Sequence, residues 1–163
     1  MNVKDNFVHF LVESGALKFG DFITKSGRET PYFINTGEFR TGASLSKLAE
    51  YYASTFMVHF DGKAQNLYGP AYKGIPLCAA TAMKLSDVYG QNLTFTYNRK
   101  EKLENGKSAL QTVQDEYGIQ AYSIVNINDI IAFLESEENR KAINAPKGIL
   151  DKVYAYREKW GAV

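Results

Sequence analysis

Short apolar segments alternate with longer helical segments in the second part of the chain, and this alternation limits the possible folds more than any other feature. Strands are predicted at Gln65 to Gly69, Leu93 to Asn98 and Ile119 to Val125, and helices at Gly74 to Tyr89 and Lys107 to Tyr117. Strands that alternate with helices in this way form parallel sheets, because each helix crosses over and returns the chain to the same edge. The sequence therefore predicts an α/β fold.

The residues before this pattern predict a helix followed by a β-hairpin. Apolar residues in Val3 to Leu11 recur at helical spacing, and Gly15 is well placed to end that helix. Asp21 to Lys25 and Pro31 to Asn35 are rich in aromatic and β-branched residues, and the turn residues Ser26 to Arg28 lie between them. We expect this hairpin to form a small separate lobe.

Three more helices are predicted from apolar residues at three- and four-residue spacing: Leu45 to Phe56, Asn126 to Glu135, and Ile149 to Trp160. Thr41 or Ser44 is suited to cap the first, and Asn126 or Asn128 the second. Ser136 to Gly148 is the one linker-like stretch.

Length and charge limit the class of protein. A chain of 163 residues with 45% hydrophobic residues can form one compact domain, with residues 1–40 as helix and hairpin and residues 41–163 as the α/β core. Lys and Arg total 19 against 18 Asp and Glu, without a basic cluster, so nucleic acid is not an expected partner. The apolar stretches are too short to span a bilayer and the N-terminus does not resemble a signal peptide, which predicts a cytoplasmic protein.

Neither the cysteine nor the histidines predict a metal site. Cys78 lies among Leu77, Ala79 and Ala80, as is typical of a small buried side chain. The two histidines, His9 and His59, are far apart in sequence and have no nearby cysteine, so a structural zinc site has no ligand set.

The strongest sign of chemistry is the segment Tyr68 to Gly74, Tyr-Gly-Pro-Ala-Tyr-Lys-Gly, between the first parallel strand and its helix. Ligands bind at the carboxyl ends of such strands, where the following helix offers free N–H groups and a positive dipole. Glycines let the backbone approach a phosphate, Lys73 adds a charge and Tyr72 an apolar wall. These residues by themselves favour an anion site and an ordinary tight turn equally.

Two other segments carry weaker signals. Asn98 to Lys102 is a charged run at the end of the second strand, on the same sheet edge, and its cations would suit pyrophosphate beside the glycines. By itself such a run is usually a solvated loop. The aromatic residues of the hairpin are typical of side chains that cover the core of a protein. The alternative hypothesis is that they form a lid over a flat ring.

Taken in order, six segments resemble the orotate phosphoribosyltransferase family of type I phosphoribosyltransferases: Lys18 to Gly20, Lys25 to Arg28, Pro31 to Phe33, Gly69 to Pro76, Asn98 to Glu101, and Ala155 to Glu158. The resemblance implies an enzyme of pyrimidine biosynthesis. Such an enzyme transfers ribose 5-phosphate from phosphoribosyl pyrophosphate (PRPP) to N1 of orotate, giving orotidine monophosphate and pyrophosphate.

The resemblance also implies roles for particular residues. Orotate would contact Phe33 and Ile34, whereas PRPP, chiefly its pyrophosphate, would contact a set of five residues: Lys25, Tyr72, Lys73, Arg99 and Lys100. Mg²⁺ would be bound together with PRPP. Because Arg99 and Lys100 reach the partner subunit's site in the family, the resemblance further implies a homodimer.

The chain departs from the family pattern after Glu101. The family continues there with a catalytic loop bearing Lys and His, then a strand ending in two aspartates and a phosphate-binding turn, whereas here Lys102 to Gly106 leads directly into Lys107 to Gln111. The missing piece is on the order of fifty residues or more, longer than one βαβ unit of about thirty. No residue can therefore be assigned a catalytic role, and we predict little or no transferase activity.

Such a departure also changes the expected sheet. Removing two strands from the family order 2-1-3-4-5 leaves about three, in the order 2-1-5, with Gln65 to Gly69 pairing with Ile119 to Val125. Three hypotheses stay open: a shortened enzyme with impaired activity, a catalytically inactive remnant that keeps the pyrophosphate loop and dimer surface, and an engineered α/β scaffold.

Overall fold

The computed structural model describes residues 3–24, 26–60, 63–70, 72–97 and 123–160. The chain forms two compact units: unit 1 contains Met1–Arg40 and Val125–Val163, and unit 2 contains Thr41–Ile124. In chain order the elements are α1 (Val3–Glu13), β1 (Leu17–Ile23), β2 (Glu29–Ile34), a 3-10 helix (Thr36–Glu38), α2 (Gly42–Phe60), β3 (Asn66–Tyr68), α3 (Gly74–Tyr89), β4 (Thr94–Thr96), α4 (Ile127–Glu135), α5 (Glu137–Ala142) and α6 (Ile149–Trp160).

In unit 1 the predicted first helix and the presence of a hairpin are confirmed. The first strand begins earlier than predicted, at Leu17, and the expected separate lobe is wrong, because the hairpin belongs to the same compact unit as residues 125–163. α1 ends just before Gly15, whose φ of 72° is the left-handed conformation that favours glycine at a helix end. β1 and β2 pair antiparallel, and the register shifts between Phe19 and Phe22. α1 packs on β1 and on α4, and α4 packs on α6. The largest fully buried side chains of unit 1 are Val8, Leu17, Phe133, Leu134, Ile149 and Val153.

Local capping fixes α4 and α5. Asn126 caps α4, since its side chain accepts from the N–H groups of Asn128 and Asp129 while the Asp129 carboxylate accepts from the Asn126 N–H. The linker-like interpretation of Ser136 to Gly148 is wrong for α5, whose first turn is capped by Ser136. That helix has no apolar stripe, so its sequence gave no periodic signal.

In unit 2, α2 and α3 pack on each other and on the sheet. The side chains of Ala53, Phe56 and Leu85 form the buried cluster, and Leu67 and Leu93 of the strand segments pack against it. Thr41 caps α2, because its hydroxyl accepts from the Ser44 N–H at 3.1 Å. α3 has the bounds that its periodicity predicts.

The parallel arrangement of the first two core strands is confirmed. β3 and β4 pair in parallel, with Leu67 opposite Phe95 and Tyr68 opposite Thr96. The third strand, predicted at Ile119 to Val125, and the helix at Lys107 to Tyr117 fall wholly or largely outside the described residues. Strand order 2-1-5 therefore stays a prediction beyond the β3–β4 pair, as does the single-domain organisation.

Candidate functional site

Two glycines bring the end of β3 against the start of α3. We call the segment from Gly69 to Gly74 the glycine turn. A Cβ added to Gly69 would lie 2.5 Å from the Gly74 carbonyl oxygen and 2.6 Å from the Cys78 Cβ, and one added to Gly74 would lie 2.7 Å from Pro70 Cδ. Any side chain at either position would push strand and helix apart. Close packing therefore accounts for both glycines without a ligand.

The glycine turn offers fewer backbone donors than the sequence suggested. Its own carbonyls take up two of them: the Gly74 N–H donates to Pro70 O at 3.0 Å, and the Ile75 N–H donates to Tyr72 O at 3.4 Å. Pro76, in the first turn of α3, has no N–H at all. The expectation that the start of this helix offers free N–H groups to a ligand is therefore wrong for Gly74 and Ile75. The positive character of this helix start comes from the helix dipole and from Lys73.

Tyr72 and Lys73 are brought together at the start of α3, and both side chains are exposed. The Tyr72 ring is 78% exposed, so within unit 2 it stands free to cover a ligand. Lys73 occupies the N-cap position, and its exposed ammonium can meet an anion there. These two side chains form the PRPP part of the candidate site that the structure describes.

Cys78 lies behind Gly69 and is buried, as its apolar neighbours predict. Burial raises the pKa of the Cys78 thiol, because removing the group from water disfavours the thiolate. A protonated, buried thiol is a poor nucleophile. Its contact with the glycine turn therefore gives Cys78 a packing role.

The candidate orotate residues lie together on β2. Phe33 and Ile34 are each 47% exposed, a large exposure for apolar side chains at the end of a strand. The Phe22 ring lies 5.8 Å from the Phe33 ring, tilted by 34°. This aromatic surface in unit 1 suits a flat ring, as the lid hypothesis requires.

Residues of the hairpin turn are held by a dense hydrogen-bond network. The Thr24 N–H donates to Arg28 O at 2.8 Å, and the Thr24 hydroxyl accepts from the Arg28 N–H at 3.0 Å and lies 2.9 Å from the Ser26 hydroxyl. Gly27 has a φ of 78°, which the turn requires.

Lys25, Arg99 and Lys100 lie outside the described residues, so their PRPP contacts stay predictions.

Sequence reasoning missed a set of contacts between α6 and the hairpin. The Lys152 ammonium lies 2.7 Å from the Asp21 carboxylate, and the rings of Tyr156 and Tyr32 meet edge to face at 5.7 Å. Burial, and then the neighbouring Tyr156, raise the pKa of the Tyr32 phenol, which therefore stays neutral. Trp160 also receives the Arg28 guanidinium over its ring, at 5.6 Å from the centroid. The four-residue spacing along α6 was the only available signal.

Within the described ranges, no group of three or more His, Cys, Asp or Glu side chains could hold a metal ion. No helix in the part of the chain that the structure covers is long and apolar enough to cross a membrane.

Comparison with known proteins gives close relatives of one kind. No protein-family model matches the chain. Over 107 residues, 66% of this chain, it is 50% identical to orotate phosphoribosyltransferase of Clostridium acetobutylicum. It is 32% identical to the enzyme of the same name from Ralstonia pickettii, over 98% of this chain and 96% of that protein. The first match spans about half of the relative's length, 48%.

Solved structures agree with the sequence relatives. Orotate phosphoribosyltransferase of Francisella tularensis superposes with a TM-score of 0.78 at 27% identity, over 96% of both chains. UMP synthase of Leishmania donovani has a TM-score of 0.66 at 17% identity, over 96% of this chain and 42% of that one, which shows the fold alone. The protein is thus an α/β protein of the type I phosphoribosyltransferase fold, as the sequence predicted.

The length of the full alignment adds a second finding. The alignment with the Ralstonia pickettii relative has 224 positions, more than the 163 residues of this chain. That relative therefore carries residues, between the aligned ends, that have no counterpart here.

With 32% identity over nearly its whole length, the chain belongs to the orotate phosphoribosyltransferase family.

Proposed function

We propose that this protein serves the reaction of its family, the transfer of ribose 5-phosphate from PRPP to N1 of orotate, with release of pyrophosphate, in pyrimidine biosynthesis. The observation that carries the proposal is the 32% identity to an orotate phosphoribosyltransferase across 98% of this chain. Exposed side chains in each unit support it separately: Tyr72 and Lys73 at the start of α3 for PRPP, and the β2 side chains for orotate.

In this proposal the start of α3 attracts the pyrophosphate of PRPP. Lys73 is an exposed cation at a positive helix end, where negative charge develops as pyrophosphate leaves. Tyr72 covers the ligand with its exposed ring. Lys25, Arg99 and Lys100 add the further cations that the sequence predicts.

Orotate is a flat ring with a carboxylate, and the exposed surface of β2 matches the ring. Phe33 and Ile34 supply apolar contact, and the neighbouring Phe22 widens the aromatic surface. An aromatic side chain stacks favourably on such a ring in an offset or edge-on geometry. The hairpin thus orients the acceptor nitrogen, and transfer itself takes place at the ribose carbon of PRPP.

Mg²⁺ enters the proposal as part of the substrate. By the family resemblance the ion would be bound with PRPP, held by its phosphate oxygens and by water, as Mg²⁺ prefers. We further propose a homodimer, from the family role of Arg99 and Lys100, and a cytoplasmic location.

The turnover of this chain is proposed to be low or absent. The segment that holds the ribose and its 5-phosphate in the family has no counterpart after Glu101, and the alignment longer than the chain supports such a gap. The same observation favours a second candidate function, a protein that binds pyrophosphate or orotate without catalysis.

The first test is an assay of the pure chain, with its mass confirmed as 18.3 kDa. Loss of orotate absorbance is followed after addition of PRPP and Mg²⁺. We expect little or no loss. Measurable formation of orotidine monophosphate would contradict the predicted impairment while supporting the family reaction, and no turnover together with ligand binding would support the second candidate.

The second test examines the binding residues in unit 2. Titration calorimetry with magnesium pyrophosphate compares Lys73→Ala with Lys63→Ala, which removes an exposed cation elsewhere in the same unit. We expect Lys73→Ala to weaken binding about tenfold, equal to about 1.4 kcal/mol, with no change for the control. Equal weakening of pyrophosphate binding in both variants would mean that any lost positive charge lowers the affinity, and that Lys73 does not form a specific site.

The matching test in unit 1 uses orotate as the ligand. Phe33→Ala should weaken orotate binding, because it removes the central ring of the proposed contact surface. Ile23→Ala is the control, since this side chain of the same hairpin is 76% exposed and outside the proposed surface. Unchanged affinity in Phe33→Ala would rule out the hairpin as the orotate contact.

A further inference from the structure

One face of α6 carries a row of side chains at four-residue spacing: Lys152, Tyr156 and Trp160. Such spacing places the three on one side of a helix. They contact three separate parts of the hairpin: β1 through Asp21, β2 through Tyr32, and the turn through Arg28. The hairpin is thus contacted at its turn and along both strands.

The row lies on a firmly packed helix. Ile149 and Val153, on the adjacent face of α6, are 1% and 0% exposed and belong to the core of unit 1. The row side chains themselves are exposed or partly buried, so their individual contacts are weak. Three weak contacts spread along a hairpin nevertheless restrict its rotation, because each contact blocks a motion that the other two allow.

Strand geometry links this row to the candidate ligand surface. Neighbouring residues of a strand point to opposite faces, so the face on which Tyr32 packs determines the face on which Phe33 is presented. Tyr32 packs on Tyr156, whereas Phe33 is half-exposed beside Phe22. A hairpin that turns away from α6 would turn the Phe33 surface with it.

We propose that the row of Lys152, Tyr156 and Trp160 positions the hairpin and thereby sets the orientation in which Phe33 meets an anionic aromatic ligand. The role of the ligand surface rests on the proposed function. The row residues act through the hairpin and are positioning residues.

The test separates hairpin order from ligand binding. Amide hydrogen exchange over residues 26–34 and calorimetric orotate affinity are measured for the full chain and for Tyr156→Ala, with Tyr156→Phe as the conservative variant that keeps the ring contact with Tyr32. We expect several-fold faster exchange and several-fold weaker orotate binding in Tyr156→Ala, and recovery of both in Tyr156→Phe.

A second pair of variants provides a matched control on one ring. Arg28 and Lys159 both place a cation over Trp160, at 5.6 and 5.2 Å from the centroid, but only Arg28 belongs to the hairpin. Because Arg28 also donates to Ser26 Oγ within the turn at 3.3 Å, the ring side of the contact is varied instead. Trp160→Ala should loosen the hairpin, whereas Lys159→Ala should leave its exchange unchanged. This pair also decides the question if Tyr156→Ala does not fold.

Each outcome decides a different part of the proposal. Unchanged exchange over residues 26–34 in Tyr156→Ala and Trp160→Ala would overturn the positioning role, and so would faster exchange without weaker orotate binding. If the unaltered chain does not bind orotate at all, the proposed orotate contact fails. Exchange then still decides whether the row holds the hairpin.

Discussion

The glycine turn of unit 2 and the hairpin of unit 1 are held in place by different means. Gly69, Gly74 and Cys78 lie within one short stretch of sequence, and the glycine turn is fixed by backbone atoms in close contact. The hairpin instead depends on α6, and the Lys152–Asp21 pair joins residues 131 positions apart. A locally packed motif tolerates changes elsewhere in a chain, whereas a hairpin held from a distant helix depends on the whole of its unit.

The most disruptive single change expected is Gly69→Ala. Its methyl group would lie 2.5 Å from the Gly74 carbonyl oxygen, so strand and helix must separate, at a cost of about 3 kcal/mol in the free energy of unfolding. Urea unfolding measures the change. Gly42→Ala is the control, because nothing lies within 4 Å of its added Cβ and its effect should be zero or slightly stabilising. A Gly69→Ala protein as stable as the parent would show that the glycine turn is not closely packed.

Val153→Ala tests the other side of the comparison. Removing buried carbon atoms from the core face of α6 should cost about 2 kcal/mol. Hydrogen exchange should then accelerate in α6 and the hairpin, while the amides of Gly69 and Gly74 keep their rates. Equal acceleration in the glycine turn would remove the distinction between locally and distantly held elements.

The first turns of α4 and α3 differ in how they are capped, and the expected change in stability is smaller here. Asn126 caps α4 through its side chain, so Asn126→Ala should lower the free energy of unfolding by about 1 kcal/mol. α3 begins at Lys73 without a side-chain cap, so Lys73→Ala should leave stability unchanged in the same urea experiment. A loss of stability in Lys73→Ala would mean that this lysine supports the fold as well as the proposed anion site.

The smallest expected effect is an acid dependence in unit 1. Burial raises the pKa of the Asp129 carboxyl, but the hydrogen bonds from Lys4 and the Asn126 N–H and the charge of Lys4 outweigh it, and the pKa is lowered overall. A lowered pKa in the folded state adds stability that is present above the ordinary Asp value of about 3.9 and is lost as the pH falls through the folded value.

Urea midpoints at neutral pH and near pH 3 measure this effect. Asp129→Asn should reduce the acid-induced loss of stability compared with the unaltered chain. The difference should be small, because Lys4 is 57% exposed and water screens the pair. An identical loss in both proteins would assign the acid dependence to other carboxylates.

Much of the candidate site could be predicted from local sequence. A strand, two glycines and a helix in order are enough to place Tyr72 and Lys73 at one turn, and the turn residues after Thr24 are enough to place Phe33 on a hairpin strand. Backbone donors were harder to predict, because the bonds from Gly74 to Pro70 and from Ile75 to Tyr72 depend on how tightly the turn closes. α5 was missed since its stability comes from end contacts, such as the Ser136 cap, without an apolar stripe.

By itself the sequence determined the class of fold, the family and the local elements, because spacing, capping residues and glycines act within a few residues of one another. Only the tertiary structure decided that residues 1–40 and 125–163 form one unit, and that Lys152, Tyr156 and Trp160 contact the hairpin. Long-range contacts of this kind depend on the direction in which two packed elements face each other, and no short stretch of sequence records that direction.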